Sequence, residues 1–294
     1  MTKLSQYRVF VTAFEMGGVS AAANQLNISP SAVSKQLSAL ENHLNVTLFE
    51  RSNRNIKPTE HGVAFYPKCK MILNEILEAE ESLTKNKSSV AGIIRVTLSK
   101  SLLRSGLIEK FSAFSDRYSE VRFSLHFSED VEDLHESDFD FAFRLGQIEK
   151  QSSLIAISLQ HVTPIFCATP KYLKKFGSPK NYPDLANHRL CHFPLAQLSQ
   201  SVRDFLKAQR LDFSTSHHHY ADDIEAIYQM VSSDMCIGMM LDCSVAKEIY
   251  NGDLIEVLQD KRPPSKKLHL LFRKSHSNSH RNLKFKEFIK NAYK

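Results

Sequence analysis

The stretch SAAANQLNISPSAVSKQLSALENHLNVTLFERSNRNIKPTEHG, residues 20–62, decides the fold of the N-terminal part of the chain. Ser20 is expected to cap a helix over the alanine-rich run. Asn27, which tolerates a left-handed backbone, is expected to end that helix in a tight turn. Ser29 or Pro30 is expected to open the next helix, because proline is favoured at the first helical position. Two short helices joined by a tight turn predict a helix-turn-helix.

The second of these helices has two different faces. Its apolar residues recur every three or four positions and predict a buried stripe of Val33, Leu37, Leu40 and Leu44. The opposite side carries Ser31, Ser34 and Lys35. Such a helix fits the major groove of DNA, where its first residues reach base edges. Lys35 can bind guanine or a phosphate, and the serines can reach either; the alternative is that these hydroxyls are only solvated.

A basic hairpin is expected to follow this helix. Arg51, Arg54 and Lys57 surround a polar turn. Basic side chains beside a recognition helix can neutralise phosphates. Arg51 is ambiguous, because it can also form a structural ion pair with Glu50 or Glu41.

One long helix is expected over residues 59–87, with Thr59 as its cap. Its apolar residues recur every three or four positions, at Phe65, Cys69, Ile72, Ile76, Ala79 and Leu83. At about 1.5 Å per residue the helix reaches roughly 40 Å, more than a small domain buries. The stripe therefore favours a second copy of the chain as its partner, with packing inside the chain as the alternative.

The charge of the 294-residue chain is unevenly distributed, with 38 Lys and Arg against 32 Asp and Glu overall. Residues 1–72 hold eight basic and four acidic side chains, whereas residues 91–260 hold 17 and 23. The basic N-terminal part indicates a polyanionic partner. Residues 261–294 hold eleven and one, and a solvated helix face explains them better than a second nucleic-acid site.

Composition and patterning exclude several classes of protein. A hydrophobic content of 42% is typical of a globular protein of two or three compact units. No run of about 18 apolar residues is present, which excludes a membrane span. The N-terminus lacks the pattern of a secretory signal, so we expect a cytoplasmic protein. The cysteines are odd in number and scattered, which predicts small buried hydrophobic residues and neither a disulfide framework nor a redox sensor: Cys69, Cys167, Cys191, Cys236 and Cys243.

Metal binding and catalysis are not expected. His217, His218 and His219 would alternate between the two faces of a strand, so three ligands do not converge on one ion. The acidic run from Glu129 to Asp140 lacks the residue order of a calcium-binding loop. The chain has no nucleophile elbow, phosphate-binding loop or dinucleotide-binding motif. We therefore expect no enzymatic activity, no metal and no cofactor.

Residues 20–62 resemble the DNA-binding head of LysR-type transcriptional regulators, with helix, turn, recognition helix, wing and linker helix in the same order. They depart from it at Asn45, where the family usually has glycine, and at Pro58, where it usually has leucine. Asparagine accepts the same backbone conformation as that glycine. The predicted DNA-binding residues are Ser20, Ser29, Pro30, Ser31, Ser34, Lys35, Arg51, Arg54 and Lys57.

From residue 92 onwards strands alternate with helices, which predicts parallel α/β units. The segments DFDFAFRLG, SSLIAISL, ATPKYLKKFGSP and YPDLANHRL resemble, in order, landmarks of the LysR-type effector domain. The resemblance implies a periplasmic-binding-protein-like α/β domain of two subdomains with a cleft between them. The predicted domains are a winged helix-turn-helix at 1–58, a linker and dimerisation helix at 59–87, effector subdomain I at 92–162 with 265–294, and effector subdomain II at 163–264.

A ligand site is expected in that cleft, because open α/β sheets bind ligands at the carboxyl ends of their strands. The strand at 93–98 leads into Ser99, Lys100 and Ser101, just before a helix N-terminus that favours anions. By the resemblance, Ser99 and Ser101 match a position where the family often places effector-binding hydroxyls.

Three further residues are candidates for the same cleft. Arg144 follows the strand FAF and can either reach the ligand or pair with Asp138 or Asp140. Phe193 and Asp222 are lesser candidates from the ends of strands or loops of the second subdomain.

The sequence thus predicts a sequence-specific transcriptional regulator that binds double-stranded DNA as a homodimer. A small molecule in the cleft, expected to be anionic, would modulate its DNA binding or activation. The resemblance further implies a homotetramer. The alternatives are a solute-binding protein with an α/β cleft and an enzyme with a basic head. The helix-turn-helix counts against the first alternative and the missing catalytic motifs count against the second.

Overall fold

The computed structural model describes residues 2–51, 56–84, 90–128, 139–148, 154–211, 218–273 and 279–294. The chain divides into two units, one formed mainly by Met1–Ser89 and the other by Val90–Val131 with Asp140–Lys294. Four residues named in the sequence predictions lie outside the described residues: Arg54, Glu129, Asp138 and His217. No described helix is long and apolar enough to span a bilayer.

The described part of the first unit comprises four helices and a hairpin: α1 (Lys3–Met16), α2 (Val19–Leu26), α3 (Pro30–Leu44), β1 (Phe49–Arg51), β2 (Ile56–Pro58) and α4 (Glu60–Thr84). Phe10 of α1 is fully buried, and its ring lies 5.5 Å from that of Phe49 and 5.3 Å from that of Phe65. Three residues of the predicted α3 stripe join this core: Val33, Leu37 and Leu40. The apolar face of α3 is thereby fixed inward.

The turn before α2 differs from the sequence prediction. Gly17 has a left-handed backbone that ends α1, and the extended Gly18 is the residue that precedes the first turn of α2. Ser20 lies exposed inside that first turn, so its prediction as the helix cap is wrong. Glycine adopts both backbone conformations without strain, so the turn is completed at Gly17 and Gly18 and α2 begins at Val19. Ser20 therefore comes one residue too late to cap the helix. Asn27 ends α2 in the predicted left-handed conformation, with φ of 53°.

Helix α4 is capped by Thr59, and the start of its apolar stripe packs into the core of the first unit. The Thr59 hydroxyl accepts the Gly62 amide at 3.1 Å, which confirms Thr59 as the cap. Phe65 and Cys69 contribute to the core of the first unit. At this end of the stripe, the structure thus favours packing within the chain, which was the alternative to a second copy. Ile72, on the same stripe, keeps 41% of its surface exposed. The side chains of the last two residues of the stripe, Ala79 and Leu83, lie outside the described set.

The second unit has two sheets, each five-stranded in its described part. Lobe I has the strand order β4-β3-β5-β12-β6, formed by β3 (Gly92–Leu98), β4 (Val121–Phe127), β5 (Phe141–Leu145), β6 (Leu154–Val162) and β12 (Lys266–Arg273), with helices α5 (Leu107–Arg117) and α10 (His280–Ala292).

Lobe II has the order β11-β7-β10-β8-β9, formed by β7 (Pro164–Ala168), β8 (Leu190–His192), β9 (His218–Tyr220), β10 (Ile237–Leu241) and β11 (Ile255–Val257), with α6 (Pro170–Phe176), α7 (Gln200–Ala208), α8 (Ile224–Ser232) and α9 (Ala246–Asn251).

The sheets are mixed, whereas the sequence predicted parallel units. Strand β3 is parallel to β4 and β5, as predicted, but β12 is antiparallel to both β5 and β6. The chain leaves lobe I at the end of β6 and starts β7 of lobe II two residues later. The chain returns to lobe I only with β12, which pairs antiparallel with β6, the strand by which the chain left. A prediction based on local alternation of strands and helices misses this long-range return.

A buried carboxylate joins three parts of lobe I. Asp140, 2% exposed, accepts the backbone amide of Arg95 at 2.8 Å and the side-chain amide of Asn282 at 3.0 Å. The guanidinium of Arg281 lies 3.6 Å from the same carboxylate. Because a buried charge requires compensating partners, Asp140 fixes the start of β5 against β3 and α10.

Candidate nucleic-acid interface and interlobe cavity

The start of α3 is organised by serine hydroxyls. Ser29 is the N-cap, and its hydroxyl accepts the Ala32 amide at 3.2 Å. Pro30 occupies the first helical position, as predicted. The hydroxyls of Ser29 and Ser31 lie 3.0 Å apart. The first turn therefore presents a compact polar surface that is open to solvent.

The solvent-facing side of α3 carries the residues that the sequence predicted to face DNA. Ser31 and Lys35 are exposed and Ser34 is half-buried. The opposite side is the buried stripe, with Val33 and Leu40 fully buried. The polar face is therefore held outward by the apolar one, which is what a groove-binding helix requires.

The hairpin is held to α3 by a carboxylate. Glu41 Oε1 accepts the backbone amides of Leu48 at 2.8 Å and of Phe49 at 3.1 Å. The sequence suggested Glu41 only as an alternative partner for Arg51, whose side chain is outside the described set. Lys57 is exposed on β2. This anchor positions the start of the hairpin next to the recognition helix.

A cavity of about 400 Å³ lies between the two lobes. The residues lining it are Ser99, Ser101, Leu145, Pro164, Phe193, Gln197, Leu198, Ser199, Val202, Met239, Met240, Leu241 and Lys266. Three of them, Ser99, Ser101 and Phe193, are among the predicted effector-binding residues. Among the described residues that line the cavity, Lys266 is the charged one. The cavity is thus mostly apolar, with a few hydroxyls and one cation.

The other three predicted effector-binding residues lie elsewhere. Lys100 is exposed on the short helical turn after β3, and Asp222 is exposed just before α8. Arg144 is 8% exposed and donates to the Thr97 hydroxyl at 2.9 Å and to the Phe143 carbonyl at 3.1 Å. These contacts support a structural role for Arg144, through acceptors other than the Asp138 and Asp140 carboxylates that the sequence suggested.

Several lining residues were not predicted from the sequence. Ser199 lies at the start of α7, Met239 and Met240 on β10, and Lys266 at the start of β12. They come from segments far apart in the chain, so no local spacing connects them. The double proline at 263–264, just before Lys266, was the available signal, because a chain crossing at that point places the next residue at the cleft.

The cysteines behave as small buried residues. All five are free; four are buried and Cys243 is half-buried. Burial raises the pKa of the Cys69 and Cys167 thiols to about 12, and that of Cys243 to about 11. A thiol with a raised pKa stays protonated at neutral pH and is a weak nucleophile. The described residues hold no cluster of three metal-ligating side chains.

Two family comparisons cover most of the chain. Residues 4–63 match the sequence model for bacterial regulatory helix-turn-helix proteins of the lysR family. Residues 87–294 match the model for the LysR substrate binding domain. The chain belongs to the LysR family of transcriptional regulators. It is a regulator and not an enzyme.

Individual relatives agree with this assignment. The transcriptional regulator CrgA of Neisseria meningitidis is 30% identical over 288 residues, 98% of this chain and 95% of the relative. An uncharacterised helix-turn-helix regulator of Haemophilus influenzae is 27% identical over 274 residues, 92% of this chain and 94% of the relative. The solved structure of CrgA, a LysR-type regulator, superposes with a TM-score of 0.60 at 27% identity, covering 98% of both chains.

Replacing the cap of α3 tests the geometry of the recognition helix. Ser29→Ala removes the acceptor of the Ala32 amide and is expected to cost about 1 kcal/mol, so the first turn of α3 exchanges its amide hydrogens about fivefold faster. Ser20→Ala is the matched control, because Ser20 caps nothing and alanine favours a helix. Hydrogen exchange measured by mass spectrometry gives the amide exchange rates of α2 and α3. Equal exchange in α3 for Ser29→Ala and wild type would contradict the capping role.

Proposed function

We propose that the exposed face of α3 enters the major groove of double-stranded DNA, where Ser31, Ser34 and Lys35 read base edges. The observation that supports this most directly is the exposed Lys35, one turn into a helix whose opposite side is fully buried. An ammonium can donate to the O6 and N7 of guanine, which gives sequence discrimination.

The remaining predicted residues are proposed to position the protein on the phosphate backbone. Arg51, Arg54 and Lys57 belong to the hairpin and would neutralise phosphates, which adds affinity without sequence preference. Ser20 lies in the first turn of α2, and Ser29 and Pro30 begin α3. Ser29 already uses its hydroxyl as a cap, so its contribution there is to orient the free amides of the first turn toward a phosphate.

Two lysines on the proposed interface are expected to act differently. Lys35→Ala should relax discrimination between the operator and sites with single base changes by about 1–3 kcal/mol per contacted base pair. Lys57→Ala should weaken binding to all sequences alike and reduce the salt slope by about one. Gel-shift titrations on operator and scrambled duplexes at several salt concentrations distinguish the two effects. A Lys35→Ala protein with unchanged relative affinities would contradict base reading by Lys35.

We also propose that the chain acts as a homodimer joined through α4, and that dimers pair into a homotetramer. Ile72 supports the dimer, because it is a large apolar side chain left 41% exposed on a long helix.

A cytoplasmic location is proposed because the proposed partner is DNA.

Introducing a charge on this stripe is expected to separate the dimer. Ile72→Lys places an ammonium on the apolar stripe at a position outside the core of the described part of the first unit, so the monomer should stay folded. Ala64→Lys, exposed on another side of the same helix, is the control and should leave the oligomeric state unchanged. Analytical ultracentrifugation measures both, and an unchanged sedimentation coefficient for Ile72→Lys would exclude this face as the interface.

The interlobe cavity is proposed to hold the effector, a small organic anion with an apolar body. The support is the lining, which combines the Lys266 ammonium and serine hydroxyls with Phe193, methionines and other apolar side chains. A pocket of mixed character selects a ligand with one polar end. The ligand would change regulation by binding one arrangement of the lobes more tightly than another.

Lys266 and its neighbour Lys267 provide a matched pair for testing this site. Lys266→Met removes the cation from the cavity and should weaken binding of an organic acid about tenfold or more, since hydrogen bonds to charged groups contribute about 1.5–3 kcal/mol. Lys267→Met changes an exposed lysine that does not line the cavity and should bind as wild type. Thermal-shift titration with a set of organic acids that includes benzoate and hexanoate gives the comparison. Equal binding by both variants would exclude Lys266 as the anion partner.

A further inference from the structure

Arg104 of lobe I is surrounded by groups of lobe II. Its Nε donates to the Ser244 carbonyl at 3.3 Å, its Nη1 lies 3.1 Å from Glu225, and its Nη2 donates to Glu248. The guanidinium carbon also lies 3.4 Å from the centre of the Tyr228 ring. One side chain of lobe I therefore contacts α8, α9 and the turn that precedes α9.

These contacts are partly withdrawn from water. The side chains of Arg104 and Glu248 are 20% and 15% exposed, and that of Glu225 is 41% exposed. Removing one partner of a partly buried ion pair is more costly than removing one from a surface pair, because it leaves the other charge without compensation. Without Arg104, the carboxylates of Glu225 and Glu248 would lose the cation that they share.

A hydrogen-bonded turn connects Arg104 to the residues that line the cavity. The Leu102 amide donates to the Ser99 carbonyl at 2.9 Å, and the Ser105 amide donates to the Leu102 carbonyl at 3.0 Å. The Ser244 hydroxyl also donates to the Ser101 carbonyl at 3.4 Å. Whatever fixes Arg104 on lobe II thus also fixes Ser99 and Ser101, which line the cavity.

We propose that Arg104 is a positioning residue that sets the separation of the lobes and hence the width of the effector cavity. The inference rests on the proposed effector role of that cavity. An arginine is suited to this task because its planar fork engages several acceptors at once and stacks on an aromatic ring. Arg104 thereby holds the lobes at one separation, and a ligand must match that width or release the contact.

The test measures the distance between the lobes directly in the full-length chain. Spin labels are attached through Ser112→Cys on α5 and Lys207→Cys on α7, both exposed, and labelled chain is mixed with excess unlabelled chain. A parallel sample without these substitutions corrects for labelling at Cys243. Double electron–electron resonance then gives the distribution of distances between the lobes.

The variants are Arg104→Gln, Arg104→Lys and the control Arg117→Gln. Arg117 is an exposed arginine at the end of α5 that lies over the Tyr118 ring of its own lobe. We expect a single narrow distribution for wild type and Arg117→Gln, a broader and longer one for Arg104→Gln, and an intermediate one for Arg104→Lys, which keeps the charge without the fork. Melting temperatures measured alongside separate a change of lobe separation from a loss of stability.

Partner variants keep the test decisive even where Arg104→Gln does not fold. Glu248→Gln should broaden the distribution, and adding it to Arg104→Lys should broaden it less than the sum of the two single effects, because both changes remove the same contact. Wild-type distances in Arg104→Lys and Glu248→Gln would overturn the proposal, as would equal broadening by Arg117→Gln. The measurement needs neither DNA nor effector, so its failure is distinct from failure of the gel-shift and organic-acid experiments.

Discussion

The burial of one face of α3 is the constraint on which the N-terminal unit depends. Val33, Leu37 and Leu40 pack into the core around Phe10, and this packing leaves only one orientation for the polar side of the helix. The same core includes Phe65 at the start of α4, so one cluster positions both the recognition helix and the long helix. An apolar stripe therefore determines where the polar, functional surface lies.

Hydrogen bonds to the backbone complete the positioning in both units. Glu41 binds two amides at the base of the hairpin, Ser29 binds an amide of α3, and Asp140 binds an amide of β3. Glu41 and Asp140 connect segments that are separate in the chain, whereas Ser29 fixes the first turn of its own helix. A polar side chain that satisfies a backbone donor specifies geometry more sharply than apolar contact, because hydrogen bonds depend on distance and angle.

The second unit places a cavity where its two lobes meet. Its walls come from strand ends and loops of both lobes, so its width depends on their separation. Arg104 connects the lobes through several partners at once, and it lies within a few residues of Ser99 and Ser101 of the cavity lining. The proposed coupling between ligand binding and lobe arrangement therefore runs through this short, hydrogen-bonded segment.

The sequence by itself determined the helix-turn-helix, the faces of α3, the Asn27 turn and the cap of α4, because each depends on residues a few positions apart. It also located Ser99, Ser101 and Phe193 through strand ends and family likeness. Tertiary structure decided the start of α2, the division of the α4 stripe and the antiparallel β12. It also decided the convergence of Ser199, Met239 and Lys266, and the structural contacts of Arg144. These features arise from contacts between distant segments, and local periodicity carries no information about which distant segments meet.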